Sequence, residues 1–334
     1  MAMSNRALAS EPEQLGWSKL VPWLSRYGTH AALGLLIAFN ITVTRNFVTW
    51  QTLNINLTQV STIVIVAVGM TLVIASGGID LSVGSLMAIA AALAPLLFLN
   101  RIIEFPNIYL GVAAAFIAPV LLAGLFGLFN GFLITRYKVQ PIVGTLILFI
   151  AGRGIAQSFT DSNQVIFTTP EFQFIGLGRI LGVPIQVVIM TAIVALAAWT
   201  LRKTVFGAQV LAIGGNEAAA RLSGIRVDHI KRLVYAISGL CSGIAGLIVI
   251  ARNSAADSNL VGLGVELDAI AAVAVGGTLL TGGRASVFGT LIGALIIQLV
   301  RFTLLANGVP DAAALVVKAG LIVLAVWLQR RLTT

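Results

Sequence analysis

The sequence predicts an all-α, polytopic membrane protein with about ten transmembrane helices. Hydrophobic residues fill 58% of the 334 positions and charged residues only 10%, whereas charged residues make up about a quarter of a soluble domain. The chain also carries 21 Lys and Arg against 12 Asp and Glu. That excess would suggest nucleic acid as a partner of a soluble protein, but in a membrane protein the distribution of cations matters more than their total. Nucleic acid is therefore set aside.

The apolar stretches give the elements in order, since about 20 apolar residues cross a bilayer. Predicted spans lie at residues 29–44, 57–76, 82–99, 108–134, 140–158, 184–201, 233–251, 268–282, 286–305 and 311–329. The eighth is short and turns at Gly282-Gly283-Arg284, where a re-entrant segment would leave the same apolar signature. Eight to ten spans is therefore the range that the sequence supports.

The distribution of cations sets the orientation, because cytoplasmic segments near span ends are enriched in Lys and Arg. With the N terminus inside, fourteen of the 21 cations fall on inner segments, four on outer segments and three within spans. The sequence thus predicts a cytoplasmic N-terminal segment (1–28), a membrane domain (29–329) and a cytoplasmic tail (330–334), with both termini inside.

One polar, basic island, residues 202–232, interrupts the apolar second half and is predicted to be a cytoplasmic loop. Its core reads Glu-Ala-Ala-Ala-Arg-Leu from Glu217, a run of strong helix formers with Glu217 and Arg221 on one face. Gly224 follows as a helix stop. The pattern predicts a short helix in water, suited to docking a soluble partner.

The island separates two blocks, spans 2–5 and spans 7–10, that start on opposite sides of the membrane under this orientation. Each block has an acidic break before its second span, at residues 77–82 and 262–268. Transporters commonly place broken helices at matching points of inverted repeats. The blocks are therefore predicted to be inverted repeats.

The acidic residues at the breaks have two interpretations. Asp80 and Ser82 fit an N-cap in a tight interhelical turn, which cap preferences favour, or polar groups of a permeation route. Glu266 and Asp268 fit solvated or capping residues ahead of span 8, which the preference of acids for helix N-termini favours, or the same route.

Four residues deeper in the spans are further candidates for the route. Arg153 lies about 20 Å along span 5 from Gln140, and it either snorkels to the outer interface or forms a polar lining with Gln157, one turn on. Asn130 and Gln298 fit interhelical hydrogen bonding better than a route. Lys318 has no partner in the sequence, and outward snorkelling explains it.

Other motifs indicate packing or an absence of chemistry. The glycine pairs 127/131, 239/243 and 289/293 have the GxxxG spacing that brings helices together in lipid. Cys241 is interpreted as a packing residue. The sequence has no phosphate-binding loop, no metal-ligand cluster and no catalytic constellation. Any ATP hydrolysis would therefore belong to another subunit, and no cofactor or metal is expected on this chain.

The motifs together resemble those of permeases of ATP-binding-cassette importers, in the monosaccharide (ribose, galactose or galactofuranose) branch, with a type II importer fold. The resemblance lies in the island (residues 215–225, with Tyr235 and Ser238-Gly239), in the breaks 77–84 and 264–283, and in Arg153-Gly154. It extends from about residue 30 onward. It implies an ATPase-coupling loop formed by Gly215, Asn216, Glu217, Ala218, Ala219, Arg221, Leu222, Ser223, Gly224 and Ile225.

The resemblance also implies the partners and the location. They are two ATPase subunits that use ATP and Mg²⁺, a second permease subunit, a periplasmic or extracellular sugar-binding protein and the lipid of a bacterial inner membrane. Residues 289–298 and 316–319 look most like galactofuranose-type permeases, which slightly favours a heteromeric pair over a homodimer.

Two other functions stay open at this point. An ion-coupled secondary transporter of a small neutral solute would be expected to carry a conspicuous mid-span carboxylate, which Asp80 could supply if the first break lies deep. A membrane scaffold or channel without transport activity is the third possibility.

Overall fold

The computed structural model describes residues 15–320 and residue 323. The start of the predicted N-terminal segment (1–14), most of the end of predicted span 10 and the tail 330–334 lie outside the described residues. The helices are α1 Leu15–Val43, α2 Trp50–Ala75, α3 Val83–Phe98, α4 Ile108–Tyr137, α5 Pro141–Phe159, α6 Pro170–Leu177, α7 Ile185–Lys203, α8 Val205–Gly215, α9 Glu217–Leu222, α10 Val227–Asn253, α11 Val265–Val275 and α12 Val287–Ala306, with a further helical stretch at 311–320, named α13 here.

The helices confirm the all-α membrane class. Within the described part, six helices are long and apolar enough to cross a membrane: α2, α4, α5, α7, α10 and α12. Helix α11, at the eighth predicted span, has only 11 residues and is about 16 Å long, roughly half of the hydrocarbon thickness. It cannot cross alone, so the count of ten spans stays a prediction.

The two predicted blocks show the same order of elements. In the first, α2 ends at Ala75, residues 76–82 break the chain, and α3 then packs on α4 and α5. In the second, α10 ends at Asn253, residues 254–264 break the chain, and α11 packs on α12. Helix α11 also forms an ion pair with α13, Asp268 to Lys318. This parallel matches two repeats, and their inverted orientation stays a prediction.

Glycines bring the central helices together. A methyl group on Gly127 of α4 would lie 2.3 Å from the Tyr235 carbonyl oxygen of α10, and one on Gly239 of α10 would lie 2.3 Å from the Ala123 carbonyl oxygen of α4. The backbones therefore touch where two GxxxG spacings face each other, and the packing interpretation is confirmed. Cys241 is buried in the same helix, also as predicted.

A small folded region joins α5 to α7 and was not predicted. It contains α6 and two short antiparallel pairs, β1 (Val165–Ile166) with β4 (Ala255–Ala256), and β2 (Arg179–Ile180) with β3 (Val183–Pro184). Strand β4 belongs to the second break, so this region ties the break to the α5–α7 connection.

The island forms two helices. The sequence predicts α9, which runs from Glu217 to Leu222 with the Asn216 side chain accepting from the Ala219 N–H, and Gly224 ends it in the left-handed region at φ +84°. Helix α8 before it was missed, since Val205–Gly215 is apolar and carries no charge pattern.

Candidate functional site

The first break is closed by a fully buried polar cluster around Asp80. Asp80 Oδ1 accepts hydrogen bonds from the Ser82 amide (3.0 Å) and hydroxyl (2.6 Å), and Oδ2 accepts from the Ser238 hydroxyl of α10 (2.9 Å). Asn130 of α4 donates through Nδ2 to Ser82 Oγ at 2.8 Å. The cluster therefore joins the break to two central helices.

The cluster lies deeper than a surface turn. Ser238 is eleven residues into α10, about 16 Å along the helix. Ser82 occupies the N-cap position of α3 but makes no capping hydrogen bond with its side chain, so the cap interpretation is wrong for Ser82. Asn130 Oδ1 is buried without a hydrogen-bond partner in the described part of the chain.

Side chains of α5 bind the second break. Arg153 Nη1 donates to the carbonyl oxygens of Ser258 (2.8 Å) and Val261 (2.6 Å). Gln157 Nε2 donates to Asn259 Oδ1 at 2.7 Å. The guanidinium of Arg153 is therefore bound to the backbone of the break, a contact that does not decide between the snorkelling interpretation and the polar lining. Whether these side chains line a route stays a prediction.

The two acids of the second break are buried, at 6% exposure for Glu266 and 9% for Asp268. The solvated interpretation is wrong for both, and the N-cap of α11 is Gly264, with no side-chain capping bond. Asp268 forms an ion pair with Lys318 at 2.6 Å, so the snorkelling interpretation of Lys318 is also wrong. A buried carboxylate needs such a partner to remain charged.

The two breaks meet inside the molecule. A methyl group on Gly84, in the first turn of α3, would lie 2.2 Å from the Gly262 carbonyl oxygen and 2.5 Å from Glu266 Oε2. The carboxylate of Glu266 is therefore beside the N-terminus of α3, the positive end of that helix. Discontinuous helices with apposed ends are the usual setting of transporter binding sites.

Gln298 of α12 takes part in packing between helices. It is buried, and its Nε2 donates to Gln59 Oε1 at 2.6 Å and to Asn56 Oδ1 at 3.4 Å, both on α2. The interhelical interpretation of Gln298 is confirmed by these contacts, although they do not test a role in transport.

Ion pairs between side chains hold the predicted coupling helix α9 against the start of α10. Glu217 pairs with Arg221 at 3.1 Å, as the i, i+4 spacing predicts, and with Lys231 of α10 at 2.5 Å. Burial raises the pKa of Glu217, but hydrogen bonds from Lys231 and Arg221 outweigh it and hold the pKa below its usual value. Arg221 also pairs with Asp228 at 2.8 Å.

These ion pairs extend to the connection between α4 and α5. Lys138 lies 3.8 Å from Asp228, and a cavity of about 220 Å³ opens between this connection and the island. Leu222, at the end of α9, is 90% exposed. The helix is thus fixed on one side and free to bind on the other.

Sequence reasoning missed several of these partners. Ser238 lies 158 positions from Asp80. Lys231 and Asp228 lie on α10 and pair with residues of α9, a separate helix, so no helical spacing pairs them. The weak signals were Ser238-Gly239 within the recognised motif and the lone cation Lys318. Among the residues that the structure describes, no cluster of His, Cys, Asp or Glu could hold a metal ion.

The comparisons agree with the geometry. The family model described as "Branched-chain amino acid transport system / permease component" matches residues 52–326. The ribose import permease of Escherichia coli strain K12 is 42% identical over 314 residues, covering 92% of this chain and 95% of the relative.

Two further relatives are named for other sugars. The galactofuranose transporter permease of Escherichia coli K12 is 41% identical over 79% of this chain and 75% of its own length. The fructose import permease of Bifidobacterium longum is 41% identical over 73% of this chain and 67% of its own length. No solved structure matches the chain.

Proposed function

Because the chain belongs to the family of transport-system permease components matched over residues 52–326, we propose that it is the membrane permease of an ATP-binding-cassette importer that takes up a monosaccharide. The observation that carries this proposal is the similarity over nine-tenths of the chain to a ribose import permease. A pentose or hexose, in a pyranose or furanose form, is the expected cargo.

The breaks support a neutral cargo. An amino acid, which the family description names, carries a carboxylate, and transporters often bind such a group at the N-terminus of a broken helix. In this chain Glu266 already places its own carboxylate beside the N-terminus of α3. That arrangement disfavours an anionic group at the same place and is compatible with a sugar hydroxyl.

The ion-coupled alternative loses its main support. It requires a carboxylate free to bind and release an ion. Asp80 is deep, as that alternative needs, but its two oxygens accept three hydrogen bonds, and Asp268 is paired with Lys318. The sugar-permease relatives favour the importer as well.

In the proposed mechanism the island faces the cytoplasm and residues 215–225 dock into a groove on an ATPase. ATP and Mg²⁺ are used by two separate ATPase subunits, and a sugar-binding protein delivers the cargo from outside. A second permease subunit, preferably a different chain, completes the path. The exposed Leu222 and the braced Glu217 and Arg221 suit α9 to this docking.

Reconstitution into vesicles tests the function. The permease, its ATPase and its binding protein are assayed for uptake of ribose, fructose, arabinose and galactofuranose, with and without ATP. ATP-dependent uptake of one sugar that survives an ionophore supports the proposal. Uptake abolished by the ionophore would indicate the secondary transporter, and no uptake at all would indicate a scaffold.

Replacing Glu217 by Lys tests the coupling helix. The change inverts a charge that pairs with Lys231 and Arg221, so uptake should fall while the permease stays in the membrane. ATP hydrolysis should no longer respond to the binding protein. Normal transport with wild-type stimulation of hydrolysis would remove residues 215–225 from the docking role.

A further inference from the structure

Four glycines from three separate segments meet at the base of the island. They are Gly77, just after α2, Gly214, at the end of α8, and Gly282 and Gly283, in the turn between α11 and α12. We refer to these four residues as the glycine junction. A hydrogen bond from the Gly283 amide to the Ala75 carbonyl oxygen, 3.1 Å long, joins the end of α2 to that turn.

The contact at the glycine junction is between backbones. A methyl group on Gly214 would lie 1.8 Å from the Ala75 carbonyl oxygen and 2.5 Å from the Gly283 nitrogen. One on Gly282 would lie 2.9 Å from the Gly214 carbonyl oxygen and 3.0 Å from the Gly77 Cα. No side chain fits between the three segments.

The glycine junction lies between the coupling helix and one element of each predicted repeat. Gly214 is three residues before Glu217, where α9 begins. Ala75 is the last residue of α2, and the first break follows it. Gly283 lies in the turn after α11, and α11 itself follows the second break. The end of α8 therefore touches one element from each of the two predicted repeats.

We propose that Gly214 is a positioning residue of the transport cycle, and that the glycine junction passes movement of the coupling helix rigidly to α2 and to the α11–α12 turn. The inference rests on the proposed docking of residues 215–225 to an ATPase. Flexible side chains can absorb a displacement by changing rotamer, whereas close-packed backbone transmits it.

The first test compares two glycines of ordinary helical backbone. Gly214→Ala forces the end of α8 away from Ala75, whereas Gly34→Ala in α1 adds a methyl group that meets nothing within 4 Å. In the reconstituted importer, G214A should keep bound ATPase and hydrolyse ATP but lose uptake about tenfold or more. G34A should transport as the wild type does.

Three outcomes of this test are decisive. Loss of uptake with retained ATPase binding supports the rigid junction. Uptake at the wild-type rate overturns it, and so does loss of the bound ATPase, because the defect would then lie in docking. A wild-type importer without ATP-dependent uptake would instead refute the proposed function and leave no coupling to explain.

A second measurement covers the case in which G214A does not fold. Cysteines replace Ala212, which is exposed on α8 and lies outside the docking segment, and the exposed Arg284, one on each side of the junction. A crosslinker with a reducible bridge joins them in the assembled importer. A rigid junction predicts that the crosslinked protein transports as well as the same protein before treatment. If crosslinking stops uptake and reduction restores it, the segments must separate during transport and the inference is wrong.

Discussion

The helix breaks and the coupling helix use the same residue types in opposite surroundings. At the breaks, Asp80 and Asp268 are buried and bound to groups on other helices. On α9, Glu217 and Arg221 are 44% and 45% exposed, and they pair with each other and with Lys231 and Asp228 at the start of α10. A buried charge that loses its partner costs several kcal/mol, whereas an exposed pair contributes about 1 kcal/mol or less. The breaks therefore fix the architecture, and α9 remains adaptable for a partner.

The largest effect is expected at the ion pair of the second break. Lys318→Met leaves Asp268 buried without its cation, and we expect a loss of about 3–5 kcal/mol in stability. The thermal midpoint of the purified protein in detergent measures it. Adding Asp268→Asn to Lys318→Met should recover most of the loss. If the double variant is as unstable as the single one, the pair is not the cause.

A slightly smaller effect is expected at the first break. Asp80→Ala removes the acceptor for the Ser82 amide and for two hydroxyl groups, and we expect a loss of about 2–4 kcal/mol. The same thermal assay applies, with the exposed Glu104→Ala as a control. Equal midpoints for the two variants would show that the buried cluster does not stabilise the break.

A smaller loss of stability is expected at Arg153, whose guanidinium binds the backbone of the second break. Arg153→Lys replaces a planar guanidinium with a compact ammonium that cannot reproduce its contacts to Ser258 and Val261, at an expected cost of about 1–2 kcal/mol. With Val261→Cys as a reporter, a buried position whose backbone carbonyl still accepts from residue 153, thiol labelling should be faster in R153K. The exposed Arg179→Lys is the control, and unchanged labelling would argue against a stabilising role of Arg153.

The smallest effect is expected at Glu217 and depends on pH. Its pKa is lowered from 4.5, so its pairing stabilises the fold fully above pH 4.5, and this contribution is lost as pH falls through the lowered pKa. Wild type should exceed Glu217→Gln by about 0.2–1 kcal/mol at pH 7. The difference should vanish in acid. A difference that grows on acidification would contradict this pairing.

Sequence patterns were sufficient wherever the cause of structure is local. Apolar length predicted the long helices to within a few residues for most spans, and helix propensity with the Gly224 stop predicted α9. The GxxxG spacings indicated close packing between spans, because small residues are needed wherever backbones approach. Motif resemblance indicated the family that the comparisons then showed.

Sequence patterns failed where a residue's partner is distant in the chain. Asp80 and Ser238 are 158 positions apart, and Arg153 and Ser258 are 105 positions apart. Each side chain was therefore interpreted by itself: a cap for Ser82, snorkelling for Lys318, solvation or capping for Glu266 and Asp268, and either snorkelling or a polar lining for Arg153. Tertiary contacts replaced the interpretations of Ser82, Lys318, Glu266 and Asp268.

The sequence by itself thus determined the membrane class, the positions of most helices, the acidic breaks and the short helix of the island. These follow from hydropathy, propensity and backbone rules that act over a few residues. Only the tertiary structure decided that the breaks meet at Gly84 and Gly262, that Asp268 pairs with Lys318, and that Gly214 lies against Ala75 and Gly283. An unpaired charge is costly when it is buried, and so is an extra methyl group between two backbones in contact. Which distant residues meet these conditions depends on the three-dimensional packing of the helices, which no short stretch of sequence contains.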